Sequence, residues 1–193
     1  QPTADSDYIT LGCSPITSLP GNSGETAVIG NTSDRIGERV LLAFASADGE
    51  YFYATTLTNE GIGWLGKESL GLVGEEQAGV IAAEGFTVDT LIWGTPGSET
   101  VALTSEQIGA YVTVKGSLSD GSYTLLFKDG NTWGWVDTRA LEIRDDILIA
   151  EATDYITAGQ YSISSQPLGM PASVQLGTTK DVLGASATIL FET

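Results

Sequence analysis

The chain has no histidine and one cysteine, Cys13. Without histidine, the commonest general base and the commonest zinc ligand are both missing. A single thiol can form no disulfide within the chain, and it is expected to be buried as a small apolar side chain. Catalysis would have to rest on carboxylates. The pair Asp145-Asp146 falls at a unit boundary and reads as a solvated turn. A two-carboxylate glycosidase needs its acids on different strands across a cleft, which small repeated units rarely form. No Asp-x-Asp-x-Asp-Gly calcium loop occurs. The expectation is a non-catalytic chain with no metal and no cofactor.

Positive charge is also scarce. Eight Lys and Arg stand against 25 Asp and Glu, giving a net charge of −17. The acids are spread along the chain rather than gathered in a tail. Binding nucleic acid requires phosphates to be neutralised by bases, and an anionic lipid surface makes the same demand. Neither is expected as a partner. No apolar run is long enough to cross a membrane as a helix. The first residues, Gln1 to Ser6, show neither the charged start nor the apolar stretch of a signal peptide, so the chain reads as a mature or excised fragment. Helical periodicity is almost absent.

What is present is repetition. Gly63-Trp64-Leu65-Gly66-Lys67-Glu68-Ser69-Leu70 returns as Gly134-Trp135-Val136-Asp137-Thr138-Arg139-Ala140-Leu141. Asp7-Tyr8-Ile9-Thr10 returns as Asp154-Tyr155-Ile156-Thr157. A third signature occurs three times: Thr32 to Gly37, Thr104 to Gly109, and Thr179 to Gly184. Its glycines are spaced by 109 − 37 = 72 and 184 − 109 = 75 residues. A fixed period marks an array of like units, and arrays more often bind or space than catalyse. The spacing predicts a lead-in at 1–6, units at 7–74 and 75–146, and the front half of a third at 147–193.

Within each unit, short β-rich runs alternate with glycine. Val40 to Phe44 and Tyr51 to Leu57 flank Asp48-Gly49; Tyr111 to Lys115 and Tyr123 to Phe127 flank Asp120-Gly121. Asp-Gly between β-rich runs is a hairpin signal, because both residues tolerate positive φ. A further turn is expected at Asp129-Gly130. Loops containing Pro20-Gly21, Pro96-Gly97 and Pro167 differ most between copies. Many short strands with Gly-rich turns predict small antiparallel barrels or sandwiches. The closing leucines, Leu70 and Leu141, are expected to be buried beside Val28 and Val101.

The Asp-Gly hairpin, the turn, the Gly-Trp strand and the closing leucine together resemble GW modules. These are the SH3-like repeats of Gram-positive cell-surface adhesins and autolysins. The resemblance covers nearly the whole chain as two modules and a front half. It implies an all-β fold of tandem, half-open SH3-like barrels arranged as beads. It implies a secreted or bacterial cell-surface location and non-covalent attachment to a cell-wall polysaccharide or host glycan. Well-known members that bind teichoic acids are strongly basic, and this chain is not. Lipoteichoic acid is therefore not expected as the ligand, and a neutral polysaccharide fits better. Two other readings stay open: spacer repeats of an extracellular stalk, and the glucan-binding appendage of a secreted carbohydrate-active enzyme.

Aromatics supply the candidate site. Gly63, Trp64, Gly134 and Trp135 recur in both copies and read as a structural staple, the glycine admitting a neighbouring strand. Trp93 and Trp133 have no aromatic counterpart in the first unit and so read as ligand contacts. Trp133 and Trp135, two apart in a strand, are expected to share a face. With Phe52, Ala54 and Leu126 pointing inward, Tyr51, Tyr53, Tyr123 and Phe127 would form an exposed strip able to stack on sugars. The strand at 187–191, lacking its partner hairpin, is expected to dock on the second unit or on a neighbouring molecule through Ile189 and Phe191.

Overall fold

The computed structural model describes residues 5–21, 25–128, 131–165 and 173–192. The chain divides into two compact units, Gln1–Glu142 and Ile143–Thr193. Regular structure among the described residues is antiparallel β, with five short 3-10 turns and no α-helix.

The first unit holds two sheets. One contains β1 (Ser6–Tyr8), β2 (Pro15–Thr17), β3 (Val28–Asn31), β4 (Arg39–Ala45), β5 (Tyr51–Thr55) and β6 (Gly61–Gly66), in the order β1-β4-β5-β6-β2-β3. The other contains β7 (Gln77–Ile81), β8 (Thr87–Asp89), β9 (Thr100–Leu103), β10 (Tyr111–Ser117), β11 (Tyr123–Lys128), β12 (Asn131–Asp137) and β13 (Leu141–Ile143). Its order is β13-β7-β10-β11-β12-β8-β9. Apart from the added β13, the second order repeats the first. Neither sheet closes on itself, as in a half-open SH3-like barrel.

The second unit has β14 (Leu148–Tyr155) paired with β17 (Ser186–Glu192), and β15 (Ser162–Ser164) paired with β16 (Gln175–Thr178). These are the same pairings that β1 makes with β4 and β2 makes with β3. β4 has a second neighbour, β5, whereas β17 has only β14 among the described strands. The side chain of Phe191 lies outside the described residues. So do the expected turn at Asp129-Gly130 and the loop around Pro167.

The repeated signature has one structural job in all three copies. Its threonine opens a 3-10 turn and its hydroxyl accepts a distant backbone N–H: Ser14 for Thr32 at 3.0 Å, Phe86 for Thr104 at 3.1 Å, Tyr161 for Thr179 at 3.2 Å. Thr32 and Thr104 are fully buried, so losing that hydroxyl would leave an unsatisfied amide. The closing glycine takes positive φ in each copy and donates its N–H to the carbonyl of Ile9, Ile81 or Ile156.

Each sheet folds over its own core. Ile9, Ile16, Val40, Leu42, Ala54, Ile62 and Leu65 fill the first, with Phe52 and Leu70 against them. Ile81, Val88, Val112, Val114, Leu126, Val136 and Ala140 fill the second, with Leu141 at its border. The inward assignment of Phe52, Ala54 and Leu126 agrees with this. The expected neighbours of the closing leucines do not: Val28 is 69% exposed and Val101 46% exposed. They lie on β3 and β9, the outermost strands of their sheets, and point away from the cores. Cys13 is also exposed rather than buried. Its φ of +65° places it in a left-handed turn position, which Gly85 fills in the next copy at +87°. Tight turns of this kind face solvent.

Both Asp-Gly hairpins form, with Gly49 and Gly121 at positive φ. Carboxylates hold the turns. Asp48 accepts from the Glu50 N–H, Asp120 from the Ser122 N–H, and Asp137 from the Arg139 N–H. Asp137 also pairs with the Arg139 guanidinium at 2.7 Å, and that partner, chiefly, holds its carboxyl below the usual aspartate range. A depressed folded-state pKa contributes stability above the unfolded value and loses it as pH falls through the folded value. Acid unfolding of wild-type protein should therefore include a component below the ordinary aspartate range. That component should shrink in Asp137→Asn, measured by urea midpoints against pH.

Candidate functional site

Trp133 and Trp135 do not share a face. β11 and β12 pair Leu126 with Gly134 but Phe127 with Thr132, leaving Trp133 as the extra residue of a β-bulge. A bulge breaks the two-residue alternation and re-aims the side chain. Trp133 turns onto the second core beside Val136, while Trp135 enters a separate cluster with Ile92, Leu118 and Leu125. The first copy has the same bulge: Ala54 pairs with Gly63, Thr55 with Gly61, and Ile62 is the extra residue, 7% exposed in the first core. Trp133 thus has a counterpart in Ile62, an aliphatic one. The Lys128 ammonium caps its ring at 4.8 Å.

The cluster around Trp135 joins the two sheets. Tyr8, Ile36 and Leu72 of the first module pack into it, together with Tyr123 and Phe127. Trp135 is 1% exposed and donates its indole N–H to the Gly37 carbonyl at 2.9 Å. Tyr8 meets its ring edge-on at 6.0 Å. The linker closes the contact, Val73 and Ser117 exchanging two backbone hydrogen bonds at 2.9 and 2.8 Å. The two modules are therefore docked, not beads. Tyr123 and Phe127 are drawn into this contact and form no exposed strip; burial, with the charges of Asp137 and Asp89 behind it, pushes the Tyr123 phenol up. Trp93 stands alone, 70% exposed.

In the first module no core cluster among the described residues covers the corresponding face. There, cross-strand pairing sets Phe44 beside Tyr53 and Tyr53 beside Trp64. Their ring centroids lie 6.3 and 5.7 Å apart, forming one continuous row. Phe44 is 50% exposed, and Tyr53, Trp64 and neighbouring Tyr51 are half-buried. The same register in the second module reads Gly116, Leu125, Trp135. A Cβ on Gly116 would sit 2.8 Å from the Leu72 Cβ and 3.1 Å from the Val73 carbonyl. Glycine there lets the linker and first module cover the face; phenylalanine at position 44 could not be covered in that way.

Of the residues the sequence put forward, the structure brings Tyr51 and Tyr53 to one surface, with Phe44 and Trp64. Trp93, Trp133, Tyr123 and Phe127 lie elsewhere. The signal for Phe44 was available: it is an aromatic whose sister position holds glycine. The signature's own offset of 72 residues already sets Phe44 against Gly116 and Tyr53 against Leu125, and both copies carry the same bulge, at Ala43 and Lys115; only the Gly-Trp strand slips to 71, because the turn before it is one residue shorter in the second copy.

Residues 76–142 match the family model of the GW (Gly-Tryp) dipeptide domain. No curated protein matches the chain in sequence. A solved structure described as "putative autolysin from Listeria monocytogenes" is similar at 12% identity and a TM-score of 0.33, covering 99% of this chain and 86% of that one.

Proposed function

We propose that this chain, whose residues 76–142 are a GW domain, is a non-catalytic binding module of a secreted, cell-wall-associated protein. Its ligand is a neutral polysaccharide, stacked on the first module's row Phe44–Tyr53–Trp64. The observation that carries this is the asymmetry between two like modules: one Gly-Trp indole is sealed by a neighbour, and its counterpart lies in an uncovered aromatic row. An uncovered apolar row on a folded surface marks a contact site. Sugars stack on such rings without requiring positive charge, which the chain lacks. Repulsion by a net charge of −17 acts over a Debye length of about 8 Å at physiological salt and disfavours lipoteichoic acid.

The test is a pull-down on cell-wall polysaccharide stripped of phosphate polymers, with lipoteichoic acid alongside. Tyr53→Ala and Phe44→Ala should each weaken binding about tenfold, equivalent to about 1.4 kcal/mol. Trp93→Ala should leave it unchanged; weakening there instead would move the site to the second module. Tight, salt-sensitive retention on lipoteichoic acid would refute the neutral ligand. Retention on neither polymer would favour the spacer reading, for which the docking through Trp135 is the supporting feature.

A further inference from the structure

Between the two docked modules lies a cleft of about 410 Å³. It is within the range of small-ligand sites, which favour the junctions between domains. Tyr8, Leu125 and Trp135 line its inner part. Each module contributes a wall: Thr56, Leu57 and Thr58 from the turn after β5 on one side, and Thr90, Leu91 and Thr132 on the other. Leu57 is 54% exposed, an apolar side chain between two threonines.

The polar groups at this cleft are mostly uncharged. The Glu38 carboxylate is held by Arg35 at 2.9 Å. The Arg39 guanidinium uses Nε and Nη2 on the Ser6 hydroxyl, leaving Nη1 with no partner among the described residues. Thr90 accepts from the Glu99 N–H, which leaves its own O–H to donate. The Thr132 hydroxyl has no partner among the described residues. On the facing wall the Thr56 and Thr58 hydroxyls bond each other at 2.9 Å, and Thr56 also accepts the Glu60 N–H. Apolar lips with threonine hydroxyls on both sides, plus one guanidinium donor at the mouth, match the chemistry of a pyranose. Such a ring offers C–H groups on its faces and hydroxyls around its rim.

We infer that this cleft is a second saccharide site, taking one or two neutral sugar units between the modules. It rests on the reading of the chain as a neutral-glycan binder and adds to it a site made by both modules. The aromatic row belongs to the first module alone, whereas the cleft is lined by residues of both modules. A single glycan chain could engage both, raising avidity through effective concentration.

The test titrates the full chain with short neutral probes, tetramers of glucose and of N-acetylglucosamine, by calorimetry and tryptophan fluorescence. Thr132→Phe obstructs the cleft at an exposed position; Tyr53→Ala removes the middle of the row. The wild type should bind two equivalents, and each variant should keep one. Thr132→Phe should also abolish the fluorescence change of the site that survives in Tyr53→Ala. Should Thr132→Phe lower the unfolding midpoint, Thr58→Phe obstructs the same cleft from the opposite wall. One equivalent, lost in Tyr53→Ala and untouched by both obstructing variants, would overturn the cleft and leave the row standing. No binding of either tetramer, together with no retention on cell-wall polysaccharide, would overturn both.

Discussion

Trp135→Ala should destabilise the protein by about 3–5 kcal/mol, the cost of truncating a buried aromatic. It should cost about 1–3 kcal/mol more for the Gly37 carbonyl left inside without a donor. Trp64→Ala, at the same place in the sister motif, should cost clearly less. Trp64 is half-buried, and its indole N–H has no described protein partner, so little is left unsatisfied when it goes. Trp135→Phe separates the two parts of the effect: it keeps most of the apolar contact with Tyr8 and Leu125 and loses only the hydrogen bond, at about 1–3 kcal/mol. Urea midpoints for the three variants check this. Equal losses for Trp64→Ala and Trp135→Ala would mean that both tryptophans serve only their own modules.

Gly134→Ala should be nearly as damaging, and more so than Gly63→Ala. Both glycines sit at positive φ, +155° and +134°, as the dipeptide meets the neighbouring strand. Conformations of this kind cost other residues about 1–3 kcal/mol. Space adds to the difference. A Cβ at 134 would lie 2.6 Å from the Asp89 carbonyl oxygen, a backbone atom held in the β8–β12 pairing. A Cβ at 63 would meet the Ile16 and Ile29 side chains at 2.7 and 2.9 Å, which can rotate away more easily, before the Thr17 carbonyl at 3.0 Å. Thermal midpoints should fall in the order wild type, Gly63→Ala, Gly134→Ala. The glycine of the motif is there because the next strand's backbone passes where a Cβ would be. The tryptophan is there for different reasons in the two copies.

That difference shows what a repeat can and cannot reveal. Two identical dipeptides invite one explanation, and here one indole seals a contact between modules while the other lies in an uncovered row. The deciding residues are remote from the motif: Gly116 against Phe44, Leu125 against Tyr53, and the Leu72–Val73 linker, which closes on the second module's sheet at Ser117.

Local pattern determined a good deal. Branched and aromatic runs punctuated by Asp-Gly gave antiparallel strands and hairpins, because those residues suit a half-buried pleated surface and those turns need positive φ. The thrice-repeated threonine and glycine marked the turn that ties each copy together. The repeat itself, with its Gly-Trp strand, pointed to SH3-like modules, and net charge bore on the partner. Tertiary structure alone decided which aromatics are free. A strand's side chains alternate predictably only while its register is regular, and the bulges at Trp133 and Ile62 break it. Tyr123 and Phe127 would flank an open face in an isolated module; docking buries part of each against Trp135, Tyr8 and Ile36. Such contacts join residues about a hundred positions apart, Trp135 to Gly37 among them, and no local spacing encodes them.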